Sequence, residues 1–145
     1  TTLSTLFRNS TFNNSTKTFN LKTTSTLTNC YLLFMQAASI DDLTIGSDCD
    51  WSGVTNFIYT FANMGTLSLT FPSNFDWGSG TSFQYFLNGT TLSSSDYNTI
   101  LIDIEASNQN NSVVFDAPNC TATGAGLTAR TALINDHSWT INDNS

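Results

Sequence analysis

The sequence predicts an α/β repeat fold, a short solenoid of about three coils closed at its C-terminus by an αβαβ cap. Three observations predict it. Phe7, Phe34, Phe61 and Phe86 lie 27, 27 and 25 residues apart. The stretch Asp50 to Phe61 recurs in register on both sides: Thr28, Thr55 and Thr81 correspond, then Asn29, Asn56 and Ser82, then Cys30, Phe57 and Phe83. After residue 93 the apolar spacing changes: Tyr97, Ile100, Leu101 and Ile104 fall on one helical face.

A fixed period in the twenties marks a solenoid of the leucine-rich-repeat size class. It divides the chain into coils over 1–93, with 1–24 an irregular first coil, and a capping segment over 94–145. In the first coil Phe12, Phe19 and Leu21 are the apolar positions. The β-branched run from Thr16 to Thr24 favours a strand. Residues 25–34 form a compact turn or short helix on the return side. Ile40, Leu43 and Ile45 supply the next strand, turned by Gly46-Ser47-Asp48. Leu67, Leu69 and Phe71 alternate with period two, and Pro72 stops that strand. Phe75 and Trp77 lead into the last return, with Trp51 and Trp77 expected to stack on each other. In the cap, Ser94 or Ser95 starts the first helix and Asp96 suits its first turn. A strand at Val113 to Phe115, a helix from Ala125 to Asn135 starting at Thr123 or Gly124, and a strand from Ser138 to Ile141 complete it. Such a unit covers the apolar cross-section that a terminal coil exposes.

Trp51-Ser52-Gly53-Val54-Thr55-Asn56 resembles the Trp-Asp-Thr-Ser-Asn-Val-Thr-Asn-Met repeat of BspA-like leucine-rich-repeat surface proteins. The later order is similar to the closing segment of that family: Phe86 to Ser93, Tyr97 to Ile102, Val113 to Asp116, Ala129 to Ile134, then Trp139-Thr140-Ile141-Asn142-Asp143. The resemblance is strong over 50–143 and weak over 1–40, where the Trp and Asp of the repeat are missing. Asn144-Ser145 stands where the family has Gly-Gly. The resemblance implies a leucine-rich-repeat-like fold and a non-enzymatic bacterial surface or adhesion protein.

Composition narrows the partners. The 145 residues suffice for one domain with a core. Charged residues are 10% and aromatics 12%, so polarity comes from hydroxyls and amides, and the chain is no disordered Ser/Thr tract. A net charge of −7 with four basic residues excludes a nucleic-acid partner, because that affinity rests on neutralising phosphates. No run reaches the length of a membrane span. Thr1 in place of Met suggests processing or trimming. Asn9, Asn13, Asn14, Asn88, Asn110 and Asn119 read Asn-x-Ser/Thr, glycosylation candidates in a secreted chain, though a chain this rich in Asn, Ser and Thr produces such triplets by chance. Of the three cysteines, Cys30 takes a Phe column and Cys49 a different one, so no intrachain disulfide is expected.

Catalytic chemistry finds little to build on. Asp48-Cys49-Asp50-Trp51-Ser52-Gly53 copies the start of a calcium loop, with Asp48, Asp50 and Ser52 as ligands and Asp41 and Asp42 nearby. The bidentate Glu at its twelfth position is replaced by Tyr59. No metal or other cofactor is therefore expected. His137 is the single His and Glu105 the single Glu, and no nucleophile elbow, Cys-x-x-Cys or phosphate loop occurs.

Surfaces remain. One reading is a self-assembling extracellular or cell-surface protein, a filament or surface-structure subunit, or an adhesion protein. The other is a monomeric binding module for a glycan or host protein, using Tyr59, Tyr85, Trp51 and Trp77. Self-association is the favoured use of the first coil, where Leu3, Leu6 and Phe7 enter the repeat uncovered. Arg8, Lys17 and Lys22 give residues 1–40 a net +3, against −10 for residues 41–145, which favours head-to-tail contact. The competing explanation is that 1–40 is the remnant of a longer repeat array.

Overall fold

The computed structural model describes residues 2–12, 16–22, 26–73, 75–108 and 110–145. Along them run β1 (Thr16–Phe19), β2 (Asp42–Ile45), β3 (Gly65–Thr66), β4 (Ser68–Thr70), β5 (Thr90–Thr91), α1 (Ser94–Ser107), β6 (Val114–Ala117), α2 (Gly124–His137) and β7 (Thr140–Asp143). β1, β2 and β4 form a parallel sheet, with Thr16 opposite Asp42 and Asp42 opposite Ser68. β3 pairs with β5 and β6 with β7, also in parallel. A separate row of parallel bridges joins Thr2, Asn29, Asn56 and Ser82 in succession, then Phe83 to Phe115. Parallel partners need a long crossover. Here the crossover is a circuit of chain that passes once through the bridge row and once through the sheet. Each pass through the bridge row is a rung.

The register of Thr and Asn has a direct cause. The Asn29 carboxamide accepts the Tyr31 N–H at 2.8 Å, and that of Asn56 accepts the Ile58 N–H at 3.0 Å. Each turns the chain into its rung as an Asx turn. One residue earlier, the Thr55 hydroxyl donates to the Thr28 carbonyl at 3.2 Å and the Thr81 hydroxyl to the Thr55 carbonyl at 3.1 Å.

Between rungs and sheet lies an aromatic core. Phe7 stacks on Phe34 at 5.3 Å and Phe34 on Phe61 at 5.5 Å; Phe61 meets Phe86 edge-on at 5.3 Å, and Phe86 reaches Phe115 at 5.5 Å. In a second column Cys30 is fully buried, and Phe57 stacks on Phe83 at 4.8 Å. The tryptophans do not stack on each other as expected. Phe75 sits between them, 5.6 Å from Trp51 and 4.9 Å from Trp77, because its ring fills the space the two indoles were expected to share.

After β5 the chain enters α1 instead of adding a strand to the β1-β2-β4 sheet, and the Asp96 carboxylate accepts the Leu69 N–H of β4 at 3.4 Å. α2 packs on α1, while β6 and β7 prolong the bridge row. Tyr97, Ile100, Leu101 and Ile104 are the buried face of α1. Local details differ from the sequence expectation. Ser93, not Ser94 or Ser95, caps α1, since its extended backbone aims the hydroxyl at the Asp96 N–H. No helix forms over 26–34: Leu32 has a φ of +59°, which a right-handed helix forbids. β1 stops at Phe19, and α2 runs on to His137, where left-handed Ser138 ends it by returning its N–H to Leu133 and Ile134. Thr23 and Thr24, within the strand expected over Thr16 to Thr24, and the candidates Asn13 and Asn14 lie outside the described residues.

Candidate functional site

Within each rung a set of alternate N–H groups donates one way, to the next rung, while Thr55, Thr81, Ser82 and Asp116 donate back to the rung before. Leu3, Thr5, Phe7 and Asn9 donate their N–H groups to the carbonyls of Asn29, Tyr31, Leu33 and Met35 at 2.9–3.0 Å. Cys30, Leu32, Phe34 and Gln36 donate likewise to Asn56, Ile58, Thr60 and Ala62. Phe57, Tyr59, Phe61 and Asn63 donate to Ser82, Gln84, Phe86 and Asn88. The Phe83, Tyr85 and Leu87 N–H groups go to Val114 and to the side chain and carbonyl of Asp116. By this pattern the Thr2, Ser4, Leu6 and Arg8 carbonyls stand where acceptors stand in every later rung. Among the described residues they accept no hydrogen bond.

At the opposite end Thr140 donates back to Val113. Alternation along a strand then turns the backbone groups of Ile141 and Asp143 away from β6. The Ile141 carbonyl meets the Arg130 guanidinium at 3.5 Å. Among the described residues the Thr2, Ser4, Leu6 and Arg8 carbonyls thus lack a donor, and N–H groups face outward along β7.

Side chains at the 2–9 end match an unfinished stack. Leu6 is 53% exposed, while Leu3, Phe7 and Phe12 are only partly buried against the core. A cavity of about 80 Å³ opens there, lined by Phe7, Phe12, Phe19, Phe34 and Leu43. Arg8 and Lys22 are exposed. Lys17, the third basic candidate for self-association, is half-buried, its Nζ 5.2 Å from the centre of the Phe12 ring.

A second feature lies at the other end of the rung row. Tyr59 stacks on Tyr85 with centroids 4.6 Å apart and planes 8° from parallel. Beyond Tyr85 opens a cleft of about 490 Å³ lined by Gln84, Tyr85, Asn88, Asp116, Pro118 and Asn142. Asp116 shapes it: one carboxylate oxygen accepts the Tyr85 N–H at 2.7 Å and the other the Asn142 carboxamide at 2.6 Å. Of these residues the sequence pointed only to Tyr85 as a binding aromatic and to Asn88 as a glycosylation candidate. Gln84, Asp116 and Asn142 converge through rungs more than 25 residues apart, and their residue types carry no local signal.

The remaining candidates have structural roles. Asp48 accepts the Asn20 carboxamide at 3.0 Å, and Asp50 accepts the N–H and hydroxyl of Ser52 at 3.1 and 2.6 Å, so the calcium-like stretch is a turn held by its own side chains. Among the described residues no group of three or more His, Cys, Asp or Glu could hold a metal. Asn9 and Asn119 are exposed and Asn88 half-buried. Asn110 spends its amide nitrogen on the Gly78 and Gly80 carbonyls at 2.9 and 3.1 Å, bonds that a glycan would break. The three cysteines are free and buried. Burial, with the neighbouring Cys49 adding to it, pushes the Cys30 thiol up to about 12, and burial raises those of Cys49 and Cys120. His137 ends α2, its Nδ1 3.2 Å from the Asn111 carboxamide oxygen. No helix among the described residues is long and apolar enough to cross a membrane.

Comparison with known proteins finds no matching family model, no matching curated protein and no matching solved structure.

Proposed function

We propose that this chain is a short leucine-rich-repeat-like solenoid that works by end-to-end self-association, as a non-enzymatic subunit of an extracellular filament or surface structure. The observation that carries the reading is the row of Thr2, Ser4, Leu6 and Arg8 carbonyls, placed like the acceptors of every later rung and lacking a donor among the described residues. An open strand-like edge is a template for another chain. The extracellular setting is supported by the resemblance to BspA-like surface proteins and by the exposed side chains of the glycosylation candidates Asn9 and Asn119.

Magnitudes set the kind of association. The two outward N–H groups of β7 allow two rung hydrogen bonds, which contribute about 0.5–1.5 kcal/mol each once exchange with water is counted. Bringing two chains together costs about 4–15 kcal/mol. The hydrogen bonds alone do not offset that, so Leu6, Leu3, Phe7 and Phe12 must lose water in the contact. The outward N–H groups of Ile141 and Asp143 are the complementary donors. A contact between different ends does not close on itself and grows a filament unless its rotation makes a ring.

Sedimentation velocity from micromolar to millimolar chain tests this. The weight-average mass should rise with concentration, and Leu6→Glu should return it to the monomer. A chain monomeric at millimolar concentration and low salt, or an association indifferent to Leu6→Glu, overturns the proposal.

A further inference from the structure

We propose that the cleft beside Tyr85 is a binding subsite for a neutral carbohydrate, with a pyranose ring lying flat on the uncovered face of Tyr85. The geometry begins in the backbone. Thr5, Leu32, Tyr59 and Tyr85 hold one position in four successive rungs, all with left-handed φ between 57° and 63°. This stacks their side chains in a column on the outside of the rung row. Tyr59 covers one face of Tyr85. The next rung brings Asp116 and Pro118 to that level and no ring to continue the stack, so the column stops one ring short. Tyr85 stays 44% exposed beside an opening of about 490 Å³, a volume usual for small-molecule sites.

The rim selects the class of ligand. The side-chain amides of Gln84 and Asn88 form no hydrogen bond among the described residues, and the Asn142 carboxamide uses only its nitrogen, toward Asp116. Amides offer donors and acceptors together, the match for hydroxyls that are both. An aromatic face packs against the C–H side of a sugar ring. No Lys or Arg lines the cleft, and Asp116 puts a negative charge on its wall, which disfavours an anionic ligand. Both Asp116 oxygens already accept hydrogen bonds, which disfavours a cation drawn by that charge. Asp116 is therefore a positioning residue that fixes the Tyr85 backbone and Asn142. The subsite is independent of the association through residues 2–9 and can fail without it.

An array of neutral and acidic oligosaccharides, followed by NMR titration of the full chain with each positive, tests the assignment. At least one neutral oligosaccharide should bind saturably and shift Gln84, Tyr85 and Asn88 resonances, with an affinity little changed by salt. Tyr85→Ala should weaken it about tenfold or more, and Tyr85→Phe, which keeps the ring face, by less than about threefold. Because Tyr85→Ala also removes the Tyr59 stack, the exposed Gln84→Ala serves as a second variant and should weaken binding about threefold to tenfold. A blank array, binding confined to acidic glycans, binding indifferent to both Tyr85→Ala and Gln84→Ala, or capture of proline-rich peptides in place of sugars overturns the proposal.

Discussion

Asn9, Gln36, Asn63 and Gly89 occupy one position in successive rungs, with φ of 58°, 61°, 56° and 70°. Asn and Gly tolerate this left-handed geometry; Gln does not favour it. The exposed Gln36 is the misfit of the column, so Gln36→Gly should stabilise the chain by about 0.5–1 kcal/mol after the entropic cost of Gly in the unfolded state. Thermal denaturation reads this as a rise in Tm. Gly89→Ala should do the opposite, by about 1–3 kcal/mol, because its Cβ would also collide with the Asn63 side chain. The cysteines make a separate statement at this scale. With all three thiols raised by burial, they stay protonated at neutral pH, and iodoacetamide should label none until the chain unfolds. Rapid labelling of the folded chain would contradict this.

α1, α2 and β7 meet at a polar joint. The Arg130 guanidinium of α2 holds the Asp143 carboxylate of β7 at 2.9 Å, and the Tyr97 hydroxyl of α1 donates to the same carboxylate at 2.8 Å. Burial alone would raise the Asp143 carboxyl; the Arg130 and Tyr97 hydrogen bonds outweigh it and hold the carboxyl below its usual range. A carboxyl depressed in the folded state contributes stability above its unfolded value near 4, lost as pH falls through the folded one. Asp103, raised by burial, works in the opposite sense and offsets part of the loss. Arg130→Met should therefore cost about 3 kcal/mol at pH 7 by stranding a buried carboxylate, and acid should cost the variant less stability than it costs the parent. Urea midpoints at pH 7 and pH 3 give both numbers; an equal acid loss in parent and variant would sink the assignment. The amphipathic faces of these helices were legible from apolar spacing. The joint was not, since Tyr97, Arg130 and Asp143 are joined only by the packing of α1 on α2. The α2 start at Thr123 or Gly124 was legible, but the bonds from Asn98 of α1 to the N–H and hydroxyl of Thr123, at 2.9 and 3.0 Å, were not.

Over the whole molecule, the repeat was readable in its side chains and the direction of its backbone hydrogen bonds was not. The Phe spacing and the Thr and Asn register follow contacts that recur from one circuit to the next. The one-way run of N–H groups leaves no trace in residue types, because every residue here except Pro carries the same donor and acceptor. The proposed assembly also depends on charge. Arg8→Glu combined with Lys22→Glu should weaken it, and salt should weaken it as well where the contacts are exposed. Concentration-dependent mass at low and high salt measures both; association unchanged by the reversal would leave the charge contribution without support.

The one-way ladder has a consequence in time. Among the described residues the rung of Leu3, Thr5, Phe7 and Asn9 bonds to one neighbouring rung, where the Phe57 to Asn63 rung bonds to two. Opening should begin at the 2–9 end and propagate inward. Amide hydrogen exchange should then be fastest for Leu3 to Asn9, slower for Cys30 to Gln36, and slowest for Phe57 to Asn63. Docking a second chain on the Thr2, Ser4, Leu6 and Arg8 carbonyls would give that rung a second neighbour. The exchange gradient should flatten as chain concentration rises, reporting association from inside each subunit.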